Sequence, residues 1–148
     1  MSNASFIARH GQRIREGQAL LTRKREVSHQ NLLASDTTLY SYGHHFPLLF
    51  QIETPSGEKV TVCNSYTYSV STSRHISYAR QYADVCAPLG RVSVWEGVPS
   101  YEKVLTSLID ARRNILNSMQ SKKRKNTSIY RHLERRLHEL ITAIDLLA

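Results

Sequence analysis

The sequence predicts an α+β domain, in which a small, mainly antiparallel sheet with a packed helix is flanked by an N-terminal helix and a C-terminal antiparallel helical hairpin. Two changes in apolar period favour this fold class. Residues 37–43 and 58–66 alternate apolar and polar side chains, as half-buried strands do, and residues 46–53 form a short apolar run that is also typical of a strand. Residues 100–147 repeat apolar side chains every three or four positions, as amphipathic helices do. The length of 148 residues fits one domain with a sizeable core.

The N-terminal segment, residues 1–36, is predicted to be a helical arm. Apolar residues recur irregularly between residues 5 and 33. Gly11 and Gly17 should each weaken a helix by about 1 kcal/mol relative to Ala. One broken helix, or a short helix followed by an arm, fits this pattern best.

The central segment, residues 37–98, is predicted to hold the sheet, with three or four strands. Residues 37–43 are rich in Thr and Tyr, which favour strands. Residues 46–53 and 58–66 flank a turn with Pro followed by Gly at 54–57, and this arrangement predicts an antiparallel hairpin.

A helix and a further strand are predicted to follow the hairpin. The helix covers residues 73–86, begins at a cap among Ser71, Thr72 and Ser73, and ends before Pro88 and Gly90. Residues 91–97 are predicted to add a short strand to the sheet. The predicted core contains Leu49, Ile52, Val60, Val62, Ile76, Val92 and Val94.

The last third of the chain, residues 99–148, predicts two amphipathic helices over about 100–120 and 128–147. Their short connector implies an antiparallel hairpin, which should form one compact unit with the central domain. Four basic residues lie at its tip and are candidate polyanion-binding residues: Lys122, Lys123, Arg124 and Lys125. The stretch that contains His132 and Arg135 is interpreted as a solvated helix face.

The net charge of +8 is concentrated on the flanks. Residues 1–36 carry six basic and three acidic side chains, residues 37–99 carry four of each, and residues 100–148 carry ten basic and five acidic ones. Basic flanks bind polyanions, above all nucleic acid, by a sequence-independent route. A merely solvated surface is the alternative. A homodimer through the apolar helix stripes, or a host protein partner, also remains open.

Other classes of protein are disfavoured by the sequence. No stretch approaches the roughly 18 apolar residues of a membrane span, and no secretory signal is visible, so a cytoplasmic location is expected. Cys63 and Cys86 are predicted to be buried thiols, since no pair has the spacing of a metal site. No phosphate loop or dinucleotide-binding motif occurs, and no cofactor or metal is expected.

Hydrogen-bonding side chains are concentrated in residues 40–47 and 64–75, which the predicted hairpin brings to one end. The N-terminus of the following helix would attract an anion. The candidate ligand- or phosphate-binding residues are Tyr42, Asn64, Tyr66, Tyr68, Ser71, Thr72, Ser73 and Arg74. His45 and His75 are the candidate acid–base pair of a catalytic site. The alternative is that these residues are caps, turns and strand formers.

These two segments, YSYGHHFP and NSYTYSVSTSRH, resemble a small domain family of bacteriophages and mobile elements that has no established activity. Its pattern is Y-S-Y-G-x-H-F-P followed by N-x-x-x-Y-S-x-x-T-S-x-H. The resemblance covers residues 38–82, about a third of the chain. It implies a phage or mobile-element protein, active in the cytoplasm of the host cell, and it singles out His45 and His75 without assigning a reaction.

Three functions remain open at this point. The first is binding of nucleic acid, or of a phosphate-bearing ligand, through the basic flanks and the His/Tyr/Ser cluster. The second is a metal-independent ribonuclease or phosphotransferase that uses His45 and His75. The third is a protein-interaction factor, such as an inhibitor of a host protein, that docks through the helical hairpin.

Overall fold

The computed structural model confirms the α+β fold class and describes residues 1–67, 69–122 and 127–148. The strands are β1 (Glu26–His29), β2 (Leu32–Ser35), β3 (Thr38–Ser41), β4 (Pro47–Glu53), β5 (Lys59–Asn64) and β6 (Val85–Ala87). The helices are α1 (Asn3–Arg15), α2 (Val70–Ala79), α3 (Tyr101–Gln120) and α4 (Ser128–Leu147). In the described part of the chain, none of these helices has the length and apolar character needed to cross a membrane.

The sheet has six strands, which lie side by side in chain order. Strands β1 to β5 form an antiparallel meander, whereas β6 pairs with β5 in parallel. A parallel pair needs a long connection, and α2 provides it. The predicted hairpin of β4 and β5 is confirmed, with Phe50 opposite Val62.

Helices cover the sheet on two faces. One cluster of buried side chains joins α1 and α2 to the sheet and includes Ile7, Leu39 and Phe46. The other joins α3 and α4 to strands β4 to β6 and includes Phe50 and Leu108. Because β4 is covered on both sides, consecutive residues along it are buried, which explains its unbroken apolar run.

Of the two alternatives for residues 5–33, the broken helix is wrong, and the structure has the short helix followed by a non-helical segment. The α1 helix ends at Arg15, Gly17 has a φ of 72°, and residues 26–35 form the β1–β2 hairpin. In this hairpin, Val27 of β1 lies opposite Ala34 of β2. The apolar residues of this segment, Val27, Leu32, Leu33 and Ala34, are too few to distinguish a helical period from an alternating one. The burial of Leu32 and Ala34 under α1 stabilises the strand.

The helix predicted over residues 73–86 begins earlier, at Val70, and ends at Ala79, where a 3₁₀ turn (Arg80–Tyr82) leads into β6. Cys86 therefore lies in a strand, opposite Cys63 of β5. The Asp84 carboxylate holds this strand entry by accepting a hydrogen bond from the Thr61 backbone N–H at 2.9 Å. Sheet pairing, a long-range effect, has overridden the local helical period.

The strand predicted over residues 91–97 is also wrong, because this segment forms loops and turns. Val94 is 61% exposed and Trp95 is 97% exposed. Val92 is only partly buried, so neither valine belongs to the core. The other predicted core residues are buried as expected: Leu49, Ile52, Val60, Val62 and Ile76.

Gly11 is explained by packing. A Cβ atom at this position would lie 2.7 Å from Cδ2 and 2.9 Å from Cγ of Tyr82. Only a residue without a side chain lets α1 approach this ring, so the helix accepts the conformational penalty of glycine.

A buried polar cluster fixes the end of α1 against the β2–β3 turn. The Arg13 guanidinium donates hydrogen bonds to the carbonyl oxygens of Gln18 (2.8 Å), Asp36 (2.6 Å) and Ser35 (2.6 Å). Its Nε also donates to Nδ1 of His10 at 3.2 Å. His10 is 5% exposed, and its ring packs against Phe6. Burial, reinforced by Arg13 and Arg9, lowers the pKa of His10 to about 4.

This cluster predicts a loss of stability in acid. Between pH 6.5 and 4 the unfolded chain binds a proton at His10 that the folded chain does not, so the free energy of unfolding should fall as the pH falls through this range. We expect a loss on the order of 2 to 3 kcal/mol from this group. Burial lowers the pKa of His75 as well, which acts in the same direction.

Urea unfolding at a series of pH values measures this effect, and His10→Asn is the matched variant. Asn can still accept the hydrogen bond from Arg13 but does not titrate. The variant should show a flatter dependence on pH between 6.5 and 4. An identical dependence in both proteins would show that His10 does not carry the effect.

Candidate functional site

The predicted His/Tyr/Ser cluster is partly assembled in the structure, around His75. This residue of α2 is 3% exposed, and its Nδ1 lies 2.8 Å from Oγ of Ser41 on β3. The Tyr42 ring stacks on the imidazole with 5.8 Å between centroids. Ser41 is fully buried, so its hydroxyl is closed to an external substrate. The pair links α2 to the sheet, and burial lowers the pKa of His75.

The two histidines of the 42–46 turn have different surroundings. A positive φ at Tyr42 (61°) and at Gly43 (109°) bends the chain sharply. His44 Nε2 then lies 2.6 Å from Oε1 of Glu26, and its ring packs on Tyr40. His45 is partly buried, and its carbonyl oxygen accepts a hydrogen bond from the Val92 N–H at 2.8 Å.

Asn64 is fully engaged in holding a loop. Its Oδ1 accepts hydrogen bonds from the backbone N–H groups of Leu89 (3.1 Å), Gly90 (3.2 Å) and Tyr66 (3.2 Å). Its Nδ2 donates to the Gly90 carbonyl oxygen at 2.8 Å. The side chain is completely buried. Asn64 therefore shapes the surface through residues 88–90, since its own amide is buried and does not reach solvent.

The start of α2 differs from the prediction, because the cap is Ser69 and not a residue from 71 to 73. The Ser69 Oγ accepts a hydrogen bond from the Thr72 N–H at 3.1 Å and donates one to the Thr72 hydroxyl at 2.8 Å. Thr72 is buried as a result. Ser71 and Arg74 are exposed, and Ser73 is partly buried.

The remaining predicted site residues are less informative. Tyr66 is 47% exposed and lies beside Gly90. Lys122 is exposed at the end of α3. The other candidates lie outside the described residues: Tyr68, Lys123, Arg124 and Lys125.

A cleft that the sequence analysis did not predict lies between β6 and α4. We call it the α4 cleft; it has a volume of about 830 Å³. Its sheet side is formed by Ser65, Arg80, Asp84, Val85, Cys86 and Pro88. Its helix side is formed by His132, Arg135, Arg136, His138, Glu139, Leu140, Thr142, Ala143 and Leu146. A volume of this size is in the range of ligand-binding sites, about 300–1,000 Å³.

The charges of the α4 cleft are unbalanced. Within residues 1–67, 69–122 and 127–148, the guanidinium groups of Arg80, Arg135 and Arg136 make no salt bridge. The carboxylate of Asp84 is already bound to Arg15 at 2.8 Å and to the Thr61 N–H. Glu139 is the other carboxylate of the cleft, so three guanidinium groups face one carboxylate that is not already paired with a described residue, and His132 and His138 add two imidazole rings.

A thiol lies in the same cleft. A hydrogen bond from Cys63 lowers the pKa of Cys86 to about 7, despite the opposing effect of burial, and Arg80 contributes in the same direction. The pKa of the Cys63 thiol is raised well above its usual value by the same hydrogen bond and by burial. Cys86 therefore carries more thiolate at neutral pH than an ordinary cysteine, whereas Cys63 keeps its proton.

The residues of the α4 cleft lie in two separate segments of the sequence, and neither segment indicates a cleft by itself. The sequence predicts a solvated helix face around His132 and Arg135, and it predicts a single helix that contains both Arg80 and Cys86. Recognising the cleft requires knowledge that β6 returns beside β5 and that α4 covers it.

Across the described ranges, no group of three His, Cys, Asp or Glu side chains is arranged to hold a metal ion. In comparisons of the chain, no family model, curated protein or solved structure matches it.

Proposed function

We propose that this protein binds nucleic acid, with the phosphate backbone in the α4 cleft. The observation that carries the proposal is the convergence of Arg80, Arg135 and Arg136 on one concave surface, where none of the three makes a salt bridge to a described residue. Guanidinium groups donate forked hydrogen bonds that match phosphate oxygens. The excess of basic over acidic residues between 100 and 148 supports the same ligand.

The genetic setting is part of this proposal. The resemblance of residues 38–82 to a domain family of bacteriophages and mobile elements suggests that the nucleic acid belongs to such an element or to its host. The His/Tyr/Ser cluster would then serve this function indirectly. Asn64 holds residues 88–90 in place, and Pro88 lines the α4 cleft.

Binding of labelled single-stranded RNA, single-stranded DNA and duplex DNA across a salt series tests the proposal. Affinity should fall steeply between about 50 and 200 mM salt. The double variant Arg135→Ala/Arg136→Ala should bind single strands roughly tenfold more weakly and reduce the salt slope by about 1.4, since each phosphate contact contributes about 0.7. Alanine favours helix, so the variant should remain folded.

The matched control is Arg112→Ala/Arg113→Ala, which removes two arginines from α3 outside the cleft. It makes the same change in net charge and should keep most of the affinity. Equal losses in both double variants would mean that net charge and not the cleft governs binding. Free phosphate and ATP are added as competitors; displacement by either at low concentration would contradict a polymeric ligand. Absence of binding to all three nucleic acids would contradict the proposal and direct attention to protein partners of the helical hairpin.

The Cys86 thiol supplies a second readout of position. If nucleic acid occupies the α4 cleft, saturating single-stranded RNA should slow the alkylation of Cys86 by iodoacetamide severalfold. Cys63 is fully buried and should react slowly with or without RNA. Alkylation of the Cys86→Ala variant measures the contribution of Cys63 to the total reaction. Unchanged alkylation under saturating RNA would place the ligand elsewhere on the surface.

The same RNA samples, kept in EDTA and run on a denaturing gel, test the ribonuclease alternative. We expect intact RNA, because the His75 imidazole is buried against Ser41 and Tyr42. Cleavage that disappears in His45→Ala or His75→Ala would instead support catalysis by these two residues.

A further inference from the structure

The two cysteines of the chain lie side by side in neighbouring strands. Cys63 of β5 and Cys86 of β6 are register partners in the parallel pair, and both contact the core cluster under α1 and α2. Neighbouring strands are about 4.7–4.9 Å apart, and disulfides span Cα separations of about 4.4–6.8 Å. The backbone separation of the two cysteines therefore falls within the range that a disulfide spans.

The two thiols differ in access and in ionisation. Cys86 is partly exposed and lines the α4 cleft, whereas Cys63 is fully buried behind it. The Cys63 thiol is placed to donate a weak hydrogen bond to the Asn64 carbonyl oxygen, with 3.9 Å between sulfur and oxygen. Its proximity also lowers the pKa of Cys86. Cys86 thus combines an open path to solvent with thiolate character, and these are the two properties of a reactive cysteine.

We propose that Cys86 and Cys63 form a peroxide-reactive dithiol, in which Cys86 is the attacking residue and Cys63 the resolving residue. The arrangement rests on the register of β5 and β6 and on the opening of Cys86 into the cleft. It is independent of the proposed binding of nucleic acid.

The chemistry has two balanced steps, with hydrogen peroxide as the oxidant. The Cys86 thiolate attacks one peroxide oxygen, the O–O bond breaks, and the products are a sulfenic acid on Cys86 and hydroxide, which takes up a proton to become water. The Cys63 sulfur then attacks the Cys86 sulfur, and the proton of the Cys63 thiol passes to the leaving oxygen. The S–O bond breaks, the oxygen leaves as a second water, and the disulfide forms. Two electrons pass from the two sulfur atoms to the peroxide.

Mass spectrometry of the reduced protein after brief exposure to hydrogen peroxide tests this inference. The wild type should lose the mass of two hydrogens and retain no alkylatable thiol after denaturation. At pH 7 it should react roughly tenfold faster than an unstructured cysteine peptide, because its thiolate fraction is larger. The rate should rise with pH and reach half its maximum near pH 7.

Two variants separate the roles. Cys63→Ser should stop at a sulfenic acid on Cys86 that dimedone traps, because no resolving thiol remains; Cys63→Ala provides the same test if the serine variant does not fold. Cys86→Ser should form neither product at the same dose, since buried Cys63 is protonated. Equal reactivity of wild type and Cys86→Ser, or an adduct on Cys63 in the wild type, would overturn the assignment. So would a wild type that gives only sulfenic acid.

Discussion

Replacing Arg13 by Met should lower the free energy of unfolding by about 3–5 kcal/mol. The guanidinium is nearly buried and holds three backbone carbonyl oxygens together with the His10 ring. Met replaces the aliphatic stem of Arg but donates nothing, so these partly buried acceptors would lose their hydrogen bonds to Arg13. Urea or thermal unfolding of the purified variant measures the loss.

Arg15→Met is the control for Arg13→Met, since it removes a cation two residues later on the same helix. Arg15 is 42% exposed and pairs with Asp84 at the surface. Surface ion pairs contribute about 0–1 kcal/mol, so this variant should remain near the stability of the wild type. A loss in Arg13→Met no larger than that in Arg15→Met would contradict a structural role for the buried cluster.

The example of Arg13 shows why the N-terminal third was difficult to predict. Two of its hydrogen-bond acceptors are backbone oxygens more than twenty residues away, and a backbone oxygen leaves no trace in residue identity. The helices α3 and α4 were predicted within about a residue, because their packing repeats locally along the chain. The short strands β1, β2 and β6 have three or four residues each, too few to show a period.

The candidate site was predictable to a lesser degree. Topology correctly brought the 40–47 segment toward α2, and Tyr42 and His75 stack there. Residue type could not distinguish a hydroxyl that binds a ligand from one that caps a helix, and Ser69 has the latter role. The α4 cleft forms because β6 pairs in parallel with β5. This pairing places Arg80 and Arg135 at the same cleft, although they are far apart in the sequence. Such pairings are set by tertiary packing and not by neighbours in sequence.

Asn64→Ala should lower the free energy of unfolding by about 3 kcal/mol, which makes it the second large effect. One side chain satisfies three backbone N–H groups and one carbonyl oxygen, and their loss leaves buried polar groups unpaired at about 1–3 kcal/mol each, with water replacing some of them. Asn64→Asp keeps the acceptors but places a carboxylate oxygen against the Gly90 carbonyl. It should also be destabilising.

Unfolding curves of Asn64→Ala and of the exposed control Asn117→Ala measure the stability difference, which should be close to zero for the control. The role of the cluster is then decided by RNA binding at a temperature where both variants are folded. If Asn64 acts only through residues 88–90, its variant should lose stability and at most a few-fold of affinity, because Arg135 and Arg136 remain in place. A complete loss of affinity in folded Asn64→Ala would show instead that the loop held by Asn64 contacts the nucleic acid, and would extend the binding surface from the α4 cleft across Pro88.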